Sequence, residues 1–170
     1  MTICTKDRED LFGHITSDEM YLNQYGKIVE SSWKELPKHY PTIILDEFVV
    51  VPNHVHGIII IINDLVGARH ASPLQKKSNL LGNIIGSFKS AVTKKINEIR
   101  NTPGISIWQR NYYDHIIRNE RSLYKIREYI RTNKERWAWD KENPMFKGKD
   151  EFDCWLNEEG KQKIESRSIL

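Results

Sequence analysis

The sequence predicts an α+β fold: an antiparallel β-sheet with helices packed on one side, ferredoxin-like in broad type. Three observations predict it. A β-branched and aromatic run, TIILDEFVVV, meets a second apolar run, HVHGIIIII, across the turn signal Pro52-Asn53. Residues 80–99 and 122–137 repeat apolar side chains at helical spacing. The elements follow one another as strand, helix, strand, strand, helix, strand, helix.

Each element has its own local reason. Thr2–Thr5 reads as a short strand and KDREDLFG as a polar turn. Apolar positions from Met20 to Leu36 recur at helical spacing and stop before Pro37, so a helix is expected over Asn23–Glu35. Thr42–Val51 and His54–Ile62 pair as an antiparallel hairpin. The unbroken isoleucine run of the second strand suits a strand covered on both faces, central in its sheet. Residues 64–79, DLVGARHASPLQKKSN, carry no pattern and are expected to form a long mobile loop. Leu80–Ile99 is a helix with Ile84, Ile85, Phe88, Val92 and Ile96 on one side, broken by Asn101–Gly104. Ile105–Trp108 reads as a short strand. Ser122–Trp137 reads as a helix whose stripe is Leu123, Ile126, Ile130 and Trp137.

Composition bounds the function. The 170 residues suit one compact domain, expected over residues 1–140, followed by a charged, partly docked tail over 141–170. Hydrophobic residues make up 39%, enough for a core. No apolar stretch reaches the ~18 residues that span a bilayer, and MTICTKDRED has no signal-peptide core, so a cytoplasmic protein is expected. Cys4 and Cys154 are too far apart in sequence to suggest a disulfide or zinc framework. The net charge of +3 hides an asymmetry: residues 1–50 carry five basic and nine acidic side chains, residues 86–136 twelve basic and five acidic. A positive field of that kind suits a polyanion.

The sharpest motif is His54-Val55-His56. Side chains of a strand alternate faces, so the two imidazoles point the same way, about 6–7 Å apart along the strand. Together they could hold a divalent ion if a further ligand is supplied. Alone, the pattern is equally that of two inert histidines at a strand start. Tyr129 and Asn133 lie one helical turn apart on one face. Asn133 offers a hard oxygen ligand, and Tyr129 a hydroxyl that can act as a covalent nucleophile; a helical tyrosine beside an apolar stripe is more often core. A basic surface lies around Tyr129: Arg121, Lys125, Arg127, Arg131 and Lys134, with an Arg127/Arg131 ridge that could follow phosphates; Lys89, Lys94, Arg110 and Arg118 are further DNA-contact candidates. Within WQRNYYDHIIR, residues 108–118, Tyr112 and Tyr113 could stack bases or rival Tyr129 as nucleophile. His115 reads as a structural or DNA-contacting residue before a metal ligand.

On these segments the chain resembles a known family. VVVPNHVHGIIIIIN is similar to the signature of the single-tyrosine HUH transposases, in which U is a hydrophobic residue. WQRNYYDHIIRNERSLYKIREYIRTNKERW resembles the second signature of their REP-associated branch, a WQ…YYDH segment before a helix ending in Tyr-x-x-x-Asn. The similarity runs from about Thr2 to Pro144. It implies an HUH-transposase fold with His54, His56 and Asn133 as metal ligands and Tyr129 as nucleophile. It implies a divalent cofactor (Mg²⁺ or Mn²⁺), no nucleotide cofactor, and single-stranded or hairpin DNA as partner. It implies cleavage through a 5′-phosphotyrosine intermediate, with rejoining by reversal, and allows a homodimer. The alternative is a catalytically silent, domesticated protein that binds repeat DNA. A relaxase, which tends to carry further domains, and a small structural metal protein explain fewer of these features.

Overall fold

The computed structural model describes residues 1–62 and 80–156. The expected loop at 64–79 and the end of the tail lie outside the described residues. Strand β1 spans Thr2–Cys4, β2 Gly13–Thr16 and β3 Glu19–Leu22. Helix α1 covers Gln24–Lys34 and the short α2 Leu36–His39. The central hairpin is β4 (Ile43–Val51) and β5 (His54–Ile61). Helices α3 (Leu80–Arg100) and α4 (Glu120–Thr132) follow.

The main sheet is antiparallel, in the order β1-β5-β4, with β5 central as expected; the isoleucine run is not covered on both faces throughout, because Ile60, Ile61 and Ile62 are exposed. Its register decides everything downstream. Ile3, Val55 and Val50 form one cross-strand row, while Cys4–His54–Val51 and Thr2–His56–Val49 form rows on the opposite face. The first face packs on α1 and α3: Ile3, Val50 and Val55 meet Val29, Trp33, Ile84, Phe88, Val92 and Ile96 in the larger core. The second face packs on α4, where Ile58 and Val49 meet Ile126, Tyr129 and Ile130. Helices therefore cover both faces of the sheet, not one side as the sequence pattern suggested. The α+β class with an antiparallel sheet stands.

Several boundaries move for local reasons. A separate hairpin, β2–β3, pairs Ile15 with Met20 in a stretch where the sequence suggested only a turn and the start of a helix. Asn23 caps α1, its side chain accepting from the backbone N–H groups of Tyr25 and Gly26 at 2.8 and 3.0 Å. Asn119 caps α4, accepting from Ser122 N at 2.8 Å. The expected strand at Ile105–Trp108 is absent as a ladder. The extended segment instead touches β1 through two isolated bridges, Thr5 to Trp108 and Thr2 to Tyr113. Between the bridges two residues, Ile3 and Cys4, face four, residues 109–112, so the pairing is not continuous. Helix α4 stops at Thr132, and Trp137 belongs to a separate 3-10 turn, Trp137–Trp139. Beyond it the chain returns to the body. Arg8 pairs with Glu142 at 2.9 Å, and Phe152 and Trp155 pack beside α4.

Candidate metal and nucleophile site

The hairpin delivers His54 and His56 to the α4 face of the sheet, 0% and 5% exposed. Their Nε2 atoms lie 2.8 Å apart, with the rings near perpendicular at 80°. Asn53, at the turn, meets His54 Nδ1 at 2.8 Å, and Thr2 on β1 meets His56 Nδ1 at 2.8 Å. Helix α4 brings Tyr129 to this point from the opposite side. Its hydroxyl is 3.5 Å from His56 Nε2, within the same chain.

A residue that sequence reasoning missed completes the cluster. Asp140, 2% exposed, places Oδ2 at 3.8 Å from His54 Nε2 and 3.9 Å from His56 Nε2. The same oxygen accepts from the Tyr129 hydroxyl at 3.2 Å and from Asn133 Nδ2 at 2.9 Å. Among the described residues, His54, His56 and Asp140 form a group able to hold a metal ion, their ligand atoms all within 4.8 Å of one another. Asn133 stands beside it, fully buried, and its Oδ1 has no hydrogen-bond partner. A buried amide oxygen without a partner costs about 1–3 kcal/mol; a cation would satisfy it. The donors are thus imidazole nitrogen and carboxylate oxygen, with an amide oxygen nearby, a mixed set that could hold a divalent ion.

Burial and neighbouring charge set the protonation states. Burial, then the proximity of His56, holds His54 well below its ordinary pKa, so it is neutral and its ring nitrogens can act as ligands. For Asp140 burial pushes upward, but the adjacent His56 and His54 imidazoles, with the Glu142 backbone N–H, prevail, and the carboxyl lies well below its usual range. Burial first, and the Asp140 charge second, drive the Tyr129 phenol well above its ordinary value. Burial likewise pushes the Cys4 thiol up to about 12, so it is no nucleophile. Both cysteines are free, as the sequence suggested.

Tyr129 is also covered. The ring of Phe152 stacks on it, centroids 3.7 Å apart at 9°. The cavity beside it, bordered by Thr2, His56, Tyr113, His115, Lys141 and Phe152, is about 40 Å³. That holds one or two waters, not a phosphate.

No family model matches the chain. A Haemophilus influenzae protein, described as an uncharacterized protein, is 42% identical over 148 residues, covering 82% of this chain and 81% of that one. The two proteins belong to one family. A solved structure of a REP-associated tyrosine transposase bound to a REP hairpin is similar with a TM-score of 0.49 and 18% identity, over 82% of this chain and 67% of that one.

The remaining candidates are spread over the surface and the core. Lys89, Lys94 and Arg110 border a groove of about 880 Å³ between α3 and residues 101–110, away from the histidines. Lys94 and Arg110 are exposed, whereas Lys89 donates to the carbonyls of Gln109, Arg110 and Asn111 at 2.5, 3.3 and 3.4 Å and so shapes that loop. Tyr113, half exposed, and His115 border the small cavity at Tyr129; Tyr112 packs against the larger core. Arg118 is exposed. Arg127 and Arg131 are engaged: Arg127 pairs with Asp46 at 2.6 Å, and Arg131 pairs with Glu47. Both carboxylates sit where the β4–β5 register shifts, so this ridge ties α4 to the sheet and any phosphate there must compete with them. No helix among the described residues is long and apolar enough to cross a membrane.

Proposed function

We propose that this protein is a single-tyrosine HUH transposase of the REP-associated branch, which cleaves and rejoins single-stranded DNA next to hairpins. The observation that carries the reading is the Tyr129 hydroxyl 3.5 Å from His56 Nε2, beside three groups able to ligate a metal. His54, His56, Asp140 and Asn133 would hold the divalent ion. When bound, that ion supplies Lewis-acid polarisation of the scissile phosphate and offsets the negative charge of the transition state. Tyr129 Oη attacks phosphorus, the bond to the 3′ oxygen breaks, and the departing oxygen takes a proton to become a free 3′-hydroxyl. The phenolic proton passes to water as the bond to phosphorus forms. The 5′-phosphotyrosine keeps the energy of the phosphodiester, so attack by a 3′-hydroxyl rejoins strands without a nucleotide cofactor. The exposed cations Lys94, Arg110 and Arg118 would hold the DNA backbone.

The test is a labelled hairpin oligonucleotide with unpaired flanks, incubated with Mn²⁺ and resolved on a denaturing gel. A covalent adduct forms with the wild type, and Tyr129→Phe or EDTA abolishes it. An adduct that survives Tyr129→Phe but not Tyr113→Phe gives the nucleophile role to Tyr113 instead. The silent repeat-DNA-binding reading is favoured by one feature, the cover of Phe152 over Tyr129. It predicts that the hairpin is retained and no adduct appears under any metal condition.

A further inference from the structure

The two histidines are chemically equivalent in the sequence and not in the fold. Asn53 is fully buried, and its Nδ2 donates to the backbone carbonyls of Glu142 at 2.8 Å and Arg8 at 3.2 Å. Carbonyl oxygens only accept, so the orientation of the amide is decided: Oδ1 faces His54. An amide oxygen also only accepts. The contact of 2.8 Å therefore requires the proton on His54 Nδ1, and in the neutral ring that full burial favours, Nε2 is left as a bare lone pair. His56 has no such lock. Its Nδ1 meets the Thr2 hydroxyl at 2.8 Å, which can donate or accept. Since His54 Nε2 carries no proton, the Nε2–Nε2 contact of 2.8 Å must be donated by His56. Two ligands bound in cis at about 2.1 Å to one octahedral ion lie about 3.0 Å apart or more. That contact must open, and its proton must go, before both lone pairs can share an ion.

We propose that Asn53 is a positioning residue that locks His54 in the Nδ1–H form, and that Thr2 lets His56 switch from the Nε2–H to the Nδ1–H form when the histidines take up a metal. The proton balance is closed: one proton leaves Nε2 to solvent, one is taken up at Nδ1, and the Thr2 hydroxyl turns from donor to acceptor. The proposal rests on the reading of these histidines as metal ligands, but the lock on His54 exists without metal.

The experiment is imidazole ¹⁵N NMR on the metal-free protein and during titration with Zn²⁺, a diamagnetic probe, with Mn²⁺ affinity measured by calorimetry. Metal-free wild type shows His54 as Nδ1–H and His56 as Nε2–H; at saturating Zn²⁺ both are Nδ1–H. Asn53→Asp keeps an acceptor oxygen for His54 but loses both donors to the carbonyls. It retains the His54 form, and its Mn²⁺ affinity stays within about tenfold, whereas Asn53→Ala loses the form and 10–100-fold in affinity. If Asn53 only braces the loops, the two variants behave alike, and the proposal falls. Should Asn53→Ala not fold, Thr2→Val decides, leaving His54 unchanged and weakening Mn²⁺ binding because His56 Nδ1–H then lacks an acceptor. A His56 that keeps Nε2–H in the Zn²⁺-saturated protein also overturns the proposal. A wild type that binds neither metal removes the functional reading and the His56 switch, while the metal-free spectrum still decides the lock on His54.

Discussion

Replacing Asp140 by Asn tests the residue that the fold, not the sequence, brings to the histidines. The change is nearly isosteric and removes one negative charge from a group 2% exposed. Its Oδ2 lies 3.8 and 3.9 Å from the two Nε2 atoms, so an ion between them would sit within about 4 Å of the carboxylate. At an effective dielectric of about 20, unit charges 4 Å apart interact by about 4 kcal/mol, and a dication doubles this. Most of the desolvation of the carboxylate is already incurred in folding, since Asp140 is held ionised by the imidazoles and by Glu142 N at 2.7 Å. Even if two thirds of the gross attraction is lost to screening and ligand rearrangement, about 2.7 kcal/mol remains, a factor of about 100 in affinity. Calorimetry with Mn²⁺ on wild type and Asp140→Asn reads this directly. In the metal-free variant the Tyr129 phenol should also titrate lower, because the Asp140 charge is among the causes that raise it. Ultraviolet titration of phenolate checks that sign. Unchanged Mn²⁺ affinity with an intact fold would refute the argument and leave the ion to His54, His56 and Asn133 alone.

Acid should destabilise the metal-free protein in two windows. His54 is neutral in the fold well below its ordinary value of 6.5, so the unfolded chain binds the extra proton. Stability therefore falls by up to about 1.4 kcal/mol per pH unit below pH 6.5, and His54→Gln should flatten this slope in urea melts made in EDTA. Asp140 has the opposite protonation preference and the same sign: its contribution is present above its unfolded value near 3.8 and is lost as pH falls further. At Gly57 an added Cβ would lie 2.6 and 2.7 Å from Trp33 ring atoms, beneath the stack that Trp33 makes with Phe48. Gly57→Ala should cost about 1–3 kcal/mol in urea unfolding, and a neutral result would mean the indole can shift. Phe152→Ala removes a stacked pair worth about 0.5–1.5 kcal/mol from the cover over Tyr129. Adduct formation should rise about two- to tenfold as thermal stability drops, because the stacked ring covers the nucleophile; slower adduct formation in a folded variant would contradict this.

The legible parts of the fold are those whose signal is local. The β4–β5 hairpin follows from two β-branched runs and Pro52-Asn53, and its register puts Val55 in the larger core and the histidines on the other face. The α3 stripe, Ile84 to Ile96, is buried where the periodicity placed it. The β2–β3 hairpin was illegible for a physical reason. Its turn residues, Ser17 and Asp18, both adopt positive φ, 51° and 61°, where Asn-Gly or Asp-Gly is the usual signal. Without that signal, the alternation from Ile15 to Leu22 reads as the approach to a helix. That helices cover both faces was equally hidden. An amphipathic pattern says that a helix has a partner surface, not which side of the sheet provides it.

The site shows the same boundary between local and tertiary information. Spacing of two in a strand and of four in a helix places His54 with His56 and Tyr129 with Asn133, because the first pair lies within β5 and Asn133 caps α4 in helical conformation. Bringing the pairs together needs α4 on the histidine face, which the Ile126–Tyr129–Ile130 contact with Ile58 supplies. Asp140 has no periodic relation to either pair. It follows a 3-10 turn in a charge-rich stretch, where a carboxylate is ordinarily solvated. Its burial depends on the chain turning back at Trp137–Trp139, and on the Asn53 and Arg8 contacts that hold Glu142 two residues further on. A division of the chain at residue 140 would therefore cut between the carboxylate facing the histidines and the backbone that keeps it there. The charge-dense end of the sequence reads as tail from composition, but Glu142 O accepts from the Asn53 side chain and Phe152 stacks on Tyr129, so residues on both sides of 140 touch the site.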